Sequence, residues 1–177
     1  MKKTWIILLL LVNGATCAIA QDEKPSPEAR LKELGIQLIT PSKPVANYVK
    51  AVRSGNMVYL SGHGPDKPGG GLVTGKVITD LTIEQAIEAA RMVGISLLST
   101  LKAEIGDLGK VKRIVKVFGM VNAPPTFDQQ PKVINGFSDL MVAVFGEDGR
   151  HARSAVGVAS LPSNIPVEIE MIVELKN

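Results

Sequence analysis

Two runs near the C-terminus decide the fold: Ala152-Arg153-Ser154-Ala155-Val156-Gly157-Val158-Ala159-Ser160-Leu161-Pro162 and Val167-Glu168-Ile169-Glu170-Met171-Ile172-Val173-Glu174-Leu175. The second run alternates apolar and mostly acidic side chains with a period of two, which is typical of a strand with one buried face. The first run is rich in small and β-branched residues. Because Pro162-Ser163-Asn164 favour a turn, the sequence predicts two closing strands, over 154–161 and 167–175.

Two helical patterns precede these strands. From Asp80 to Ile105, apolar residues recur at three- and four-residue spacing, which predicts a long amphipathic helix. Either Asp80 or Thr82 can cap its N-terminus. A second helix is predicted over 131–144, with its apolar side chains facing inward.

Further β-prone runs lie before and between the helices. Residues 48–52 and 57–60 are joined by Ser54-Gly55-Asn56, which predicts a hairpin. Between the helices, a β-branched run over 111–121 predicts a strand that is buried on both faces.

The faces of this central strand follow from simple alternation. With a period of two, Val115 and Val117 are expected on one face, and Ile114 and Phe118 on the other.

The order ββαβαββ predicts a single α+β domain, with a mostly antiparallel sheet and two helices on one face. The polar, Pro-rich residues 21–27 are expected to form a flexible tether, and the domain to span 28–177. Ser26 can cap a short additional helix that has Pro27 at its first position.

The first 20 residues have the pattern of a secretory signal peptide: Lys2 and Lys3, an apolar run over 5–12, and Ala18-Ile19-Ala20 before the cleavage point. The apolar run is far shorter than the roughly 20 residues that cross a bilayer. We therefore expect a secreted or periplasmic protein without a stable membrane span.

Charge and cysteine content change once this segment is removed. The whole chain has 20 basic and 17 acidic side chains, but two of the basic ones belong to the signal. The remaining charge of +1 argues against a nucleic-acid partner.

The single cysteine, Cys17, also belongs to the signal, so no disulfide or thiolate site is expected. Lipid modification of Cys17 is an alternative, although Gly14-Ala15-Thr16 lacks the Leu-like residue usual before a lipidated cysteine.

Several familiar motifs are incomplete. Gly70–Lys76 resembles a phosphate-binding loop, but Val77 stands where a Ser or Thr is needed, which favours a surface loop. His63 and His151 are the only histidines, and the sequence groups no carboxylates with them on one element, so neither a metal nor a cofactor is expected. A pair of histidines acting as acid and base on RNA stays open as a minor alternative.

Arg153 directly precedes the strand of small residues, so its guanidinium is expected at the edge of a buried element. There it can grip one carboxylate with two hydrogen bonds. The alternative is an internal ion pair with Glu168 or Glu170. These two glutamates share one strand face, which is otherwise expected to be solvated.

Taken in order, several stretches resemble the RidA/YjgF family. They are the hairpin from Tyr48 to Pro65, Gly106-Asp107-Leu108 before the 111–121 strand, Ile134-Asn135, the run over 152–162, and Val167-Glu168-Ile169-Glu170. They extend over most of the chain that follows the signal.

This resemblance implies a chorismate-mutase-like fold, a homotrimer, and clefts between subunits that bind small carboxylate or imine ligands. Members of the family hydrolyse reactive enamines and imines, such as 2-aminoacrylate, to keto acids and ammonia. Arg153 lies at the position of the family's carboxylate-binding arginine, and Glu168 at that of the acid that positions water. Tyr48, Ser61 and Asn135 match positions that line the cleft.

The chain departs from the family at several of these stretches. Ala155 replaces a cysteine common in the deaminase branch, Gly157 replaces a bulkier residue, and His63-Gly64 replaces a Gln and an apolar residue. These differences indicate a divergent, exported member with a different pocket.

Three functions are considered. The first is imine or enamine hydrolysis, and the second is a non-catalytic module that binds small carboxylates. RNA cleavage, an older label in the family, is third because the charge is low and only 4% of residues are aromatic.

Overall fold

The computed structural model of the chain describes residues 25–44 and 46–177; the predicted signal peptide and Cys17 lie outside these ranges. The described residues form α1 (Pro27–Glu33), β1 (Ala51–Ser54), β2 (Met57–His63), α2 (Ile83–Ile105), β3 (Val111–Asn122), α3 (Gln130–Phe145), β4 (Ala152–Val158) and β5 (Val167–Leu175). Short 3-10 turns occupy Leu108–Lys110, Gly146–Gly149 and Pro162–Asn164.

The five strands form one sheet in the order β1-β2-β5-β3-β4. Neighbouring strands are antiparallel except β3 and β4, which are parallel and connected through α3. Helices α2 and α3 pack against each other and against the same side of the sheet. This arrangement confirms the predicted α+β domain with a chorismate-mutase-like fold, to which the short helix α1 is added.

The alternation in β5 places its apolar side chains in the core. Val167, Ile169, Met171 and Val173 are all completely buried. Their burial on the helix side leaves the side chains between them on the opposite side of the sheet, which the helices do not cover. We call this opposite side the open face.

The two main helices begin and end close to the predicted positions. Thr82, and not Asp80, caps α2: its hydroxyl accepts a hydrogen bond from the Gln85 amide, and the Gln85 side chain accepts one from the Thr82 amide. The helix ends at Gly106, whose φ of 81° favours glycine. The sequence signals for a capping box and a C-terminal glycine therefore set both ends.

Two predicted strands have different limits. The hairpin begins at Ala51, so Tyr48 precedes the sheet, and Ser54 pairs with Met57 across the two-residue turn Gly55-Asn56. β4 covers Ala152–Val158 instead of 154–161, so Arg153 lies within the strand and does not precede it. The strand ends at Val158 because its partner β3 also ends, with Asn122 paired to Val158.

The predicted faces of the central strand are wrong. The register of β3 against β5 shifts between Ile114 and Lys116, which marks a bulge at Val115. An extra residue in one strand reverses the alternation beyond it. Ile114 and Val117 therefore both face the core with no exposed surface.

Among the described helices, none combines the length and apolar character that a membrane span requires.

Candidate functional site

Three of the five predicted site residues line one cavity of about 630 Å³. Tyr48 comes from the segment before β1, Ser61 from the end of β2, and Glu168 from the beginning of β5. The residues Pro162, Ser163 and Ile165 close another side. Strand pairing between β2 and β5 thus brings together residues that are distant in sequence.

A bulge in β2 shapes the floor of this cavity. The register against β5 shifts between Leu60 and His63. A Cβ atom at Gly62 would overlap Oε1 of Glu168. Only glycine therefore allows the carboxylate to lie this close to the backbone of β2.

The carboxyl group of Glu168 is half-buried and protonates more easily than usual. Burial is the main cause of its raised pKa, and the nearby charge of Glu170 raises it further. Such a group can accept and return a proton at a pH closer to neutrality than an ordinary glutamate.

Three charged residues of the cavity, Lys43, Lys50 and Asp66, were not predicted. The Lys50 ammonium donates to Ser42 Oγ over 2.6 Å, and the Ser42 hydroxyl lies 3.4 Å from both carboxylate oxygens of Asp66. Burial lowers the pKa of Lys50, and the charge of Asp66 opposes this effect. The two-residue spacing of Tyr48 and Lys50 was the available sequence signal, since it places both on one side of an extended segment.

His63 belongs to the core beneath the cavity. Its side chain is 2% exposed; its Nδ1 lies 2.7 Å from the Ser61 carbonyl oxygen and its Nε2 2.8 Å from Thr100 Oγ1 in α2. A carbonyl can only accept, so Nδ1 carries the hydrogen and Nε2 accepts from the threonine hydroxyl. His63 therefore fixes the Ser61 end of the bulge to helix α2.

The other two predicted residues lie together at a different place. Nη1 of Arg153 donates to Asn135 Oδ1 and to Ser138 Oγ, each over 2.9 Å. Nη2 donates more weakly to the Pro131 carbonyl oxygen at 3.4 Å. Arg153 thus lies at the start of β4 against helix α3.

In a single chain, Arg153 and Glu168 are on opposite sides of the sheet. Arg153 pairs with Val117, whose side chain faces the helices, whereas Glu168 pairs with Met120 on the open face. No carboxylate of the described residues lies within 4.0 Å of the Arg153 guanidinium. The alternative of an internal ion pair with Glu168 or Glu170 is therefore wrong for the single chain.

The two histidines also lie apart. His63 is bonded to α2, whereas His151 is bonded to Ser138 of α3 and to the Gly149 carbonyl. They share no hydrogen-bond partner among the described residues, so the chain does not assemble them into an acid–base pair.

A larger cavity, of about 820 Å³, lies between residues 35–42, the loop 66–71 and helix α2. It contains none of the five predicted residues. We therefore take the smaller cavity as the candidate site. Within the described residues, no group of three or more His, Cys, Asp or Glu side chains could hold a metal ion.

The chain is similar to known proteins over most of its length. The chain is 45% identical over 150 residues to Protein TCP17 of Trypanosoma cruzi, covering 84% of this chain and 94% of that protein. It is 33% identical over 135 residues to the 2-iminobutanoate/2-iminopropanoate deaminase of Dermatophagoides farinae, covering 76% and 90%.

Among solved structures, Atu1372 of Agrobacterium tumefaciens, a protein of unknown function, superposes with a TM-score of 0.78 at 46% identity, covering 85% of this chain and 94% of that one. The family model described as Endoribonuclease L-PSP matches residues 39–175. The chain therefore belongs to the Endoribonuclease L-PSP family, which is the YjgF/RidA family.

Proposed function

We propose that the protein hydrolyses reactive enamines and imines of small carboxylic acids to keto acids and ammonia. The observation that carries this proposal is the Glu168 carboxyl, which has a raised pKa and lies in one cavity with Tyr48 and Ser61. The deaminase activity of the Dermatophagoides farinae relative supports the same reaction.

The chemistry needs an anchored carboxylate, a placed water and a path for protons. Glu168 takes a proton from water as the water oxygen bonds to the imine carbon, and this proton passes to the imine nitrogen. The carbinolamine then loses its hydroxyl proton to the nitrogen through the same carboxylate. The C–N bond breaks, and the keto acid and ammonia leave.

The carboxylate of the substrate requires a cation, and Arg153 suits this role. Its guanidinium has no acidic partner among the described residues, and the hydrogen bond to Asn135 holds it in place. Since Arg153 and Glu168 lie on opposite sides of one chain, we propose that the site is shared between subunits, in the homotrimer that the family resemblance implies. Arg153 and Asn135 of one subunit would then complete the cavity of the next.

The second candidate is a module that binds small carboxylates without turnover. The Arg153 guanidinium supports this candidate too, because among the described residues it has no acidic partner, and binding a ligand carboxylate there needs no reaction. RNA cleavage by a histidine pair has no such support, since His63 and His151 share no partner in the described chain.

Turnover of 2-iminobutanoate, generated in the assay and followed by ammonia release, tests the first proposal. We expect Glu168→Gln to reduce kcat by at least about a hundredfold, the usual contribution of a positioned acid or base. Glu174→Gln is the matched control, since Glu174 is on the same face at the far end of β5. Equal activity in the Glu168→Gln variant and the wild type would exclude the mechanism.

Arg153 distinguishes a binding site from a structural arginine. Arg153→Ala should weaken binding of 2-oxobutanoate about ten- to a hundredfold, because it removes a charge-assisted hydrogen bond. Arg153→Lys should recover little of this loss, since a lysine lacks the planar two-point grip. Calorimetric titration measures both, and unchanged binding in a folded Arg153→Ala variant would remove Arg153 from the site. Binding without turnover in the wild type would favour the second candidate.

A further inference from the structure

Arg153 is the first member of a hydrogen-bonded chain that ends on the main chain of another element. Ser138 Oγ lies 2.9 Å from Arg153 Nη1 and 3.1 Å from His151 Nε2. His151 Nδ1 in turn lies 2.7 Å from the Gly149 carbonyl oxygen. Arg153, Ser138, His151 and Gly149 are thus connected without interruption.

Burial lowers the pKa of His151 and so favours its neutral form, in which chemistry fixes the direction of every bond in this chain. The Gly149 carbonyl accepts, so Nδ1 of a neutral His151 carries the hydrogen and Nε2 is the acceptor. The guanidinium only donates, so Ser138 Oγ accepts from Arg153 and gives its own hydrogen to Nε2. Only the neutral form of His151 satisfies this arrangement.

Packing holds the far end of the chain rigidly. The His151 ring meets the Phe137 ring edge-on, with centroids 5.8 Å apart and an interplanar angle of 70°. A Cβ atom at Gly149 would overlap the main-chain carbonyl oxygen of Met141. The turn that carries the Gly149 carbonyl is therefore pressed against the C-terminal half of α3.

We propose that Ser138 and His151 form a positioning pair that orients the Arg153 guanidinium for carboxylate binding. This proposal rests on the proposed function of Arg153 and adds two residues that touch no ligand. Ser138 occupies one side of Nη1 and Asn135 the other, so the plane of the guanidinium is fixed. In the described residues, Nε has no acceptor and is left for a ligand.

Protonation of His151 would disrupt this arrangement. Nε2 would then donate, Ser138 would lose its acceptor, and a second positive charge would lie close to Arg153. The other charged side chains on the surrounding elements are Lys112, Arg113 and Lys116 of β3, Lys132 and Asp139 of α3, and Glu147, Asp148 and Arg150 of the adjoining turn. Burial first and then the charge of Arg153 lower the pKa of His151, so carboxylate affinity should fall only below about pH 6.5.

Binding of 2-oxobutanoate between pH 7.5 and pH 5 tests the proposal. At pH 7.5, Ser138→Ala should bind about three- to tenfold more weakly, as expected for one lost hydrogen bond, and Ser138→Thr should restore binding. His151→Gln can still accept from Ser138 through its amide oxygen, so at pH 7.5 it should lose less affinity than Ser138→Ala. Because it does not titrate, it should lack the decline in affinity at acidic pH. Glu168 titrates in both proteins, so the difference between them reports His151.

Ser96→Ala is the matched control, since Ser96 is a buried helical serine whose hydroxyl bonds to Met92 of its own helix. It should leave binding unchanged. In an Arg153→Lys background, Ser138→Ala should cause no further loss of 2-oxobutanoate affinity. A merely structural serine would instead lower the affinity equally in both backgrounds. Wild-type affinity in the Ser138→Ala variant, or a wild-type pH profile in the His151→Gln variant, would overturn the proposal.

A ligand-free measurement separates this proposal from the proposed function. In a nitrogen NMR titration, His151 should carry its hydrogen on Nδ1 and titrate below its ordinary pKa of 6.5. Its pKa should rise in Arg153→Ala. If the His151 pKa rises in Arg153→Ala but the wild type does not bind 2-oxobutanoate, the Ser138–His151 pair is supported and the proposed carboxylate site is wrong. If the His151 pKa does not respond to Arg153→Ala, the positioning pair is wrong.

Discussion

His63 is a buried side chain whose ionisation opposes folding. Burial is the main cause that lowers its pKa to about 4, and the nearby charge of Lys50 adds to it, against the Ser61 carbonyl and Asp66. In the unfolded chain the ring titrates near 6.5. Between about pH 4 and pH 6.5, the unfolded chain therefore binds a proton at His63 that the folded chain does not bind. The stability from a neutral His63 is complete above about pH 6.5 and is lost as the pH falls towards 4.

The predicted consequence is a difference in acid sensitivity between the wild type and His63→Gln. Between pH 7.5 and pH 4.5, the wild type should lose about 2 to 3 kcal/mol more unfolding free energy than the variant, given the two pKa values. Urea unfolding at both pH values measures this. His151 and the carboxyl groups titrate in both proteins, so they cancel in the comparison. Parallel losses in the two proteins would show that His63 is not buried in the neutral form.

At the scale of elements, the sequence predicted what depends on local pattern. The helices and the apolar side of β5 followed from residue spacing, whereas the N-cap of α2 was left open between Asp80 and Thr82. The face assignment of β3 failed because a bulge at Val115 depends on pairing with β5, a partner about 60 residues away. Tyr48, Ser61 and Glu168 were predicted through family resemblance, and strand pairing brings them together. Lys50 and Asp66 were missed as a pair because they are joined only through hydrogen bonds to Ser42, and these depend on the tertiary structure.

Contact between the two main helices supplies a prediction at this scale. A Cβ atom at Gly136 of α3 would overlap the main-chain carbonyl oxygen of Ile87, whereas one at Gly94 of α2 would meet the side-chain end of Leu140 at 2.8 Å. Gly136→Ala should therefore cost more than about 2 kcal/mol, because the backbone cannot move aside. Gly94→Ala should cost less than about 1 kcal/mol, since a side chain can rotate and alanine favours the helix. Chemical denaturation compares them, and equal costs would contradict this view of the interface.

At the scale of the whole molecule, the open face of the sheet carries exposed apolar side chains that the helices do not cover. Tyr59 and Val52 are 46% and 52% exposed there, and Phe118 and Ile172 line the same shallow depression. Exposed apolar surface of this kind marks a contact between proteins. We propose a second copy of the chain as its occupant, because the Arg153 and Glu168 halves of the proposed site lie on opposite sides of one chain.

The final prediction is that the wild type sediments as a trimer at micromolar concentration and that Tyr59→Glu shifts it towards monomer. A carboxylate buried at a subunit contact without a partner costs several kcal/mol, enough to reverse assembly. Leu34→Glu is the matched control, since Leu34 is 45% exposed but lies beyond α1, away from the sheet. If the cleft is shared, the dissociated variant should also lose 2-iminobutanoate turnover, although Tyr59 does not line the cavity. A wild-type monomer with full activity would contradict the shared cleft, because Arg153 and Glu168 would then have to act from opposite sides of one sheet.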